Sequence, residues 1–262
     1  GMIYTVAEAY RNLIASNIKP MAITNNLNFA SPLDPNIMGE IVLSVNGLKI
    51  SASQLDTPIV SGNVSLYNQT NDAPINPTPV IGMVGSNSNI NKIVSNKFQS
   101  EGDIIISIGE NIDPHKSPYF LQDQEIVEDI NLYNELENIN LEDEKITAKI
   151  LMEISDNNLL QSCNDISRGG IFMTLMKMIQ KNYGFNIKAS NDFELFCEYK
   201  SGYVTTIKEN NLKKVFALLD ENKINYEEIG RVVIEEIKIN SKNIDYFDIK
   251  DQYLNNFERI IN

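Results

Sequence analysis

Thr57-Pro58-Ile59-Val60 reads as a short apolar strand, and the eight residues after it, Ser61-Gly62-Asn63-Val64-Ser65-Leu66-Tyr67-Asn68, hold one glycine, two asparagines and two serines. Glycine lets a ligand come close to the backbone, and a turn at that point aims N–H groups outward. The asparagine and serine side chains add uncharged donors and acceptors. This chemistry suits a phosphate and a magnesium ion. The stretch therefore predicts a ligand-binding loop at the end of a strand. Gly62 would admit phosphate, Asn63 would offer magnesium a hard carbonyl oxygen, and Ser65 would offer a hydroxyl to a substrate phosphate or ribose. A tight turn held by side-chain to backbone bonds is the other account of the same residues.

Apolar spacing divides the rest of the chain. Val6, Ala9, Tyr10 and Leu13 predict a helix over residues 5–18, ended by Lys19-Pro20. Residues 21–23 predict a buried strand that opens into a polar loop around Asn25. Ile37, Ile41, Val45 and Leu48 predict a helix over 36–54, and residues 80–84 a strand. Residues 85–102 are polar and without a period, and mark a boundary. Asp103-Ile104-Ile105-Ile106-Ser107-Ile108-Gly109 predicts a buried strand. Helices are predicted near 123–137 and 143–157, the second favoured by the acidic start Glu142-Asp143-Glu144. A strand at 159–163, a turn at Asp165, a helix over 170–181, strands at 203–207 and 229–239 and a helix over 209–222 follow. The mixture predicts an α+β fold, with helices laid on a mostly antiparallel or mixed sheet.

The 262 residues suffice for one large domain or two ordinary ones. A net charge of −13 without clustered lysine and arginine argues against nucleic acid as a partner. An acidic chain still takes a nucleotide when magnesium and backbone donors offset the phosphate charge. No stretch approaches the ~18 apolar residues of a membrane span. Cys163 and Cys197 are too few for a disulfide framework and read as free thiols of a reducing cytosol. With one histidine and no Cys-x-x-Cys pair, a zinc site is not expected. That histidine, His115, has no nucleophile beside it and reads as a surface residue. Phe172, Leu175, Met176 and Ile179 read as core packing.

Three motifs, taken in order, carry a resemblance to a known family. They are Thr24-Asn25-Asn26-Leu27-Asn28-Phe29-Ala30-Ser31-Pro32, the run from Ser61 to Asn68, and Pro77-Thr78-Pro79-Val80-Ile81-Gly82. The match continues through Cys163-Asn164-Asp165-Ile166-Ser167-Arg168-Gly169-Gly170 to Ile229-Gly230-Arg231-Val232. Together they resemble the C-terminal half of small-type phosphoribosylformylglycinamidine synthase, the synthetase subunit of purine biosynthesis. The resemblance implies part of an aminoimidazole ribonucleotide synthetase-like N-terminal domain over 1–86, a linker over 87–102 and the superfamily's C-terminal α+β domain over 103–262. It implies ATP at Asn25 and Gly62, magnesium at Asn63 and substrate at Ser65, with Asp165 and Glu198 as weaker positions.

In that family ATP activates the formyl amide oxygen of formylglycinamide ribonucleotide as an iminophosphate. Ammonia from a glutaminase partner then displaces phosphate. The implied partners are the nucleotide substrate, a glutaminase subunit, and an N-terminal half or homologous chain bearing the family's catalytic histidine. Superfamily members pair their N-terminal domains, which implies a homo-oligomer, and a partial first domain implies an exposed apolar sheet edge.

Departures from the family pattern matter too. Asn25 stands where the family has aspartate, Asn164 where it has histidine and Arg168 where it has an acid. Glu198 and Ser201 fit the family's Glu-Ser-Gln-Ser-Arg pattern, while Tyr199, Lys200 and Gly202 do not. Asn25 also reads as an Asx-turn, and Asp165 as the cap of the helix that follows. The departures motivate a second reading: an inactive remnant or non-catalytic subunit that binds nucleotide or stabilises a complex. An unrelated α+β binding module requires the motif matches to be accidental.

Overall fold

The computed structural model describes residues 1–70, 73–111 and 139–261. The chain forms two main sheets. The smaller is built from α1 (Met2–Ala15), β1 (Lys19–Asn28), α2 (Pro35–Gln54), β2 (Ile59–Ser65) and, after a two-stranded ladder of β3 (Gln69–Thr70) and β4 (Ala73–Pro74), β5 (Thr78–Ser86). Its order is β2-β1-β5, with β1 parallel to β2 and antiparallel to β5. Helix α2 starts where Asp34 caps it, the carboxylate accepting from Asn36 N at 2.8 Å, with Pro35 in the first turn. On one face of the sheet Ile23 and Leu27 are buried with Val6, Tyr10 and Ile14 of α1.

Two expected loops are strand instead. The chain from Asn25 to Asn28 pairs with β5 on one side and β2 on the other, so its polar residues sit in the central strand. Pairing on both sides overrides the low strand preference of asparagine. Pro20 cannot donate to a ladder, and the β1–β5 register shifts between Pro20 and Ala22 to accommodate it. Likewise Ser61 to Ser65 continue β2, and the chain turns only afterwards, at Tyr67, whose φ is 62°.

The larger sheet follows with β6 (Ile104–Asn111), α3 (Leu141–Asp156), β7 (Leu160–Asp165), α4 (Gly170–Met178), β8 (Tyr183–Ile187), α5 (Asp192–Phe196), β9 (Tyr199–Ile207), α6 (Leu212–Glu221), β10 (Tyr226–Ile234), β11 (Ile237–Ile239), β12 (Lys242–Ile244) and α7 (Tyr246–Ile261). Its order is β12-β11-β8-β10-β6-β9-β7, antiparallel throughout except for β11 against β8. Strand β6 is central and covered on both sides. Ile104, Ile106 and Ile108 face the core shared with α1 and α3, and Ile105 faces the core under α4. The single strand expected over 229–239 is two, broken at Glu235 with φ 48°. Strands β8 and β12 and helix α7 were not predicted. The helix expected near 123–137, and His115, lie outside the described residues.

Helix α1 belongs to both halves. It packs on α2 and β5 of the smaller sheet, and on α3 and β7 of the larger. No helix among the described residues is long and apolar enough to cross a membrane.

Candidate functional site

The predicted positions gather where β1 and β2 run side by side. The register pairs Asn25 with Gly62, Asn26 with Asn63, Leu27 with Val64 and Asn28 with Ser65. Side chains alternate between the two faces of a strand. Asn25 and Gly62 therefore share the face of Ile23 and Leu27, towards the helices. Asn63 and Ser65 share the opposite, open face with Asn26 and Asn28. The four predicted residues are neighbours in the sheet but divide between its faces.

On the helix side, the space a Gly62 side chain would take is filled by the Asn25 amide. A Cβ there would lie 2.7 Å from Asn25 Oδ1 and 2.8 Å from its Nδ2. Gly62 has no positive φ, so what the position needs from glycine is room rather than an unusual backbone. The Asx-turn account of Asn25 does not hold, since the residue lies inside β1.

On the open face, Asn63 Nδ2 donates to Asn26 Oδ1 at 3.0 Å, and Asn28 Nδ2 donates to the Thr78 carbonyl at 3.1 Å. The Ser65 hydroxyl bonds Asn68 Oδ1 at 3.2 Å, and Asn68 Nδ2 donates to the carbonyls of Phe29 at 3.1 Å and Ser65 at 3.0 Å. Asn68 thus ties the turn after β2 to the end of β1.

Among the described residues, no group of three or more His, Cys, Asp or Glu could hold a metal. The donor set is instead a ladder of amides and hydroxyls. Asn63 spends its NH2 on Asn26 and keeps Oδ1, a hard oxygen, for another partner. That fits one ligand of a magnesium ion whose other ligands are phosphate oxygens and water.

Asp165 stands on the larger sheet, and Glu198 lies just before its strand β9. Among the described residues, no hydrogen bond or ion pair joins either to Asn25, Gly62, Asn63 or Ser65. Asp165 ends β7 and is buried; burial pushes its carboxyl up, against the pull of Arg11 and Lys177. It does not cap α4, because the N-cap is Gly169, in the left-handed region at φ 87°. Instead the Thr174 hydroxyl donates to the Asp165 carbonyl at 3.1 Å. Burial and then Glu8 push the Glu198 carboxyl up, while Arg11 and Arg168 oppose them.

Sequence reasoning missed Arg11, which is buried and paired with Glu144 at 2.6 Å. Its signal was present: Arg11 lies four residues after Ala7 and three before Ile14, on the apolar stripe of α1. Asn26, Asn28 and Asn68 were also missed, and only the strand register brings them to the ladder.

The sequence profile of the AIR synthase related protein N-terminal domain matches residues 3–86, and that of the C-terminal domain matches residues 100–239. The phosphoribosylformylglycinamidine synthase subunit PurL of a Sulfurovum species is 32% identical over 268 residues, covering 100% of this chain and 35% of that protein. This chain spans about a third of the length of the curated relatives it matches. PurL of Thermotoga maritima complexed with FGAR has a TM-score of 0.71 at 13% identity, over 95% of this chain and 42% of that one. The same protein complexed with ATP has a TM-score of 0.68 at 13% identity, over 95% of this chain and 41% of that one. At such identity these structures speak for the fold alone. With the N-terminal profile directly before it and the C-terminal profile covering more than half its length, this chain belongs to the family of AIR synthase related proteins.

Proposed function

We propose that this chain supplies part of the nucleotide and substrate site of a cytoplasmic ATP-dependent ligase that converts formylglycinamide ribonucleotide to formylglycinamidine ribonucleotide. The observation that carries the reading is the β1–β2 register, which sets Asn25 against Gly62 and Asn26 against Asn63 on neighbouring parallel strands. Strand β2 is the edge of its sheet, so a ligand at that edge reaches both faces. Asn25 and Gly62 receive the nucleotide there, and Ser65 the substrate phosphate or ribose. Asn63 Oδ1 holds magnesium brought by the nucleotide, whose charge offsets phosphate beside a chain of net charge −13. The remaining domains come from an N-terminal half or homologous chain, and ammonia from a glutaminase subunit. The relationship to PurL over the whole of this chain supports the reading.

One observation favours a second reading, a subunit that binds nucleotide without turning it over: the ladder of Asn25, Asn26, Asn28 and Asn63 contains no carboxylate. A single set of measurements separates the two. Mg-ATP at a hundred times its Kd should add about 2.7 kcal/mol of stability, a rise of several degrees in Tm for this size of chain. Asn63→Ala should abolish the rise. No rise with millimolar Mg-ATP, or an equal rise in the variant, would remove the site from this ladder. With binding established, formylglycinamidine formation after addition of the N-terminal half would identify the ligase, and persistent inactivity the silent subunit.

We also propose that the chain self-associates through its smaller sheet. Met21, Val80 and Val84 are 54%, 51% and 57% exposed on the open face or its margin, and Val60 on the edge strand is 67% exposed. Light scattering should give a mass near twice 29.6 kDa, and a monodisperse monomer would refute this.

A further inference from the structure

Where α1 lies against β7 and β9, five buried polar atoms have no hydrogen-bond partner among the described residues: Arg11 Nε, Glu144 Oε2, Asp165 Oδ2, Tyr203 Oη and Thr205 Oγ1. They belong to one cluster. Arg11 Nη1 donates to Glu144 Oε1 at 2.6 Å, with the two side chains only 5% and 0% exposed. Ser201 N donates to the same Oε1 at 3.2 Å, which leaves Oε2 over. On the sheet beneath, Asp165 pairs in register with Tyr203, and Cys163 with Thr205, so all four share one face. Cys163 and Tyr203 place that face in the core shared with α1 and α3.

Buried donors and acceptors in folded proteins nearly all find partners, and each one left alone costs about 1–3 kcal/mol. A dry junction would leave five. Donors and acceptors are both present: the Arg11 N–H, two hydroxyls and two carboxylate oxygens. That mixture suits water, which needs two to four polar partners. Tyr10 of α1, Cys163 and Lys177 are other titratable groups that act on the cluster, and Glu198, itself acted on by Glu8 and Arg168, faces Arg11.

We propose that this junction encloses bound water linking Arg11 Nε, the free oxygens of Glu144 and Asp165 and the Tyr203 hydroxyl, so that Arg11 is shared between Glu144 and Asp165 as the latch of α1 on the larger sheet. Helix α1 also carries the smaller sheet. The latch therefore fixes the amide ladder relative to the turn from Asp165 to Gly170.

Tyr203→Phe tests this with almost no change of shape, in the full 262-residue chain. A hydroxyl bonded to enclosed water is missed when removed, and Tm should fall by about 2–4 °C or more. A dry, unpartnered hydroxyl is better removed, and a Tm equal to or above that of the parent would overturn the proposal. Asp165→Asn supplies the second arm. Two groups on one water are coupled, so the double variant should lose less than the two single losses added together. Strict additivity would overturn the sharing. A high-resolution crystal structure should show ordered water at the junction, and an empty one would refute the proposal irrespective of how the variants fold.

Discussion

Arg11→Met is expected to lower the unfolding free energy by about 3–5 kcal/mol at pH 8, the range for breaking a buried ion pair by removing one partner. The loss should shrink at pH 5. Both side chains of the pair are out of water, and methionine fills the space of the arginine stem without its charge. Glu144 is then a buried carboxylate without its counter-charge, held by neutral donors such as the Ser201 N–H and side chain. Burial already pushes the Glu144 carboxyl up in the parent, with Arg11 pulling it back down. Without Arg11 the folded-state pKa rises further above the unfolded value of about 4.3. A carboxyl shifted upward contributes stability below its unfolded pKa and loses it as pH rises through the folded pKa. The deficit of the variant should therefore be smallest in mild acid and grow through neutrality. Urea unfolding at pH 5, 6.5 and 8 checks this, and a deficit independent of pH would count against it. Arg11→Met with Glu144→Leu should recover much of the loss, because an apolar pair of similar volume often replaces a buried ion pair at little cost.

Gly230→Ala is expected to be at least as damaging as the upper end of the usual 1–3 kcal/mol for overpacking. A Cβ at this position would lie 2.0 Å from the Asn186 carbonyl oxygen and 2.7 Å from Ile187 Cα. Both are backbone atoms of β8, which pairs with β10 at this point. A side chain could swing aside, but a neighbouring strand cannot move without breaking its ladder. The variant should show a much reduced Tm or accumulate as insoluble protein. Gly39→Ala is the control: it lies in α2 with nothing within 4 Å, and alanine there should be neutral or stabilising by up to about 1 kcal/mol. Equal stability of the two variants would show that β8 and β10 do not approach so closely.

Much of this fold was legible where one local signal sufficed. Val6, Tyr10 and the apolar residues around them marked α1, and the isoleucines of β6 marked a buried strand, because burial on both faces leaves no polar alternation. The misread segments are those where a distant partner decides. Asn25 to Asn28 look like a loop in isolation, and become strand because β2 and β5 lie on either side. Strand β8, Tyr183–Ile187, is short and interrupted by Gly184, which looks like a break. That glycine is in fact where the sheet is tightest, since a Cβ there would lie 1.9 Å from the Glu236 carbonyl oxygen.

The candidate site followed the same division. Its positions could be picked out by their residue types and order, but the faces they occupy could not. Whether Asn63 joins Asn25 or Asn26 depends on a one-residue choice of register. The Arg11–Glu144 pair was further out of reach, because a pair 133 residues apart leaves no trace in a local window.

That separation also sets an order of events during synthesis. At ordinary rates of elongation, Arg11 is made on the order of ten seconds before Glu144. Asp165 and Tyr203 follow later still. Throughout that time the stripe of α1 that will cover β7 and β9 has nothing to cover, and it carries an arginine that can be buried only once its carboxylate exists. The first helix of the chain can pack early on α2 and β5, but its seating on the larger sheet has to wait for residues made much later.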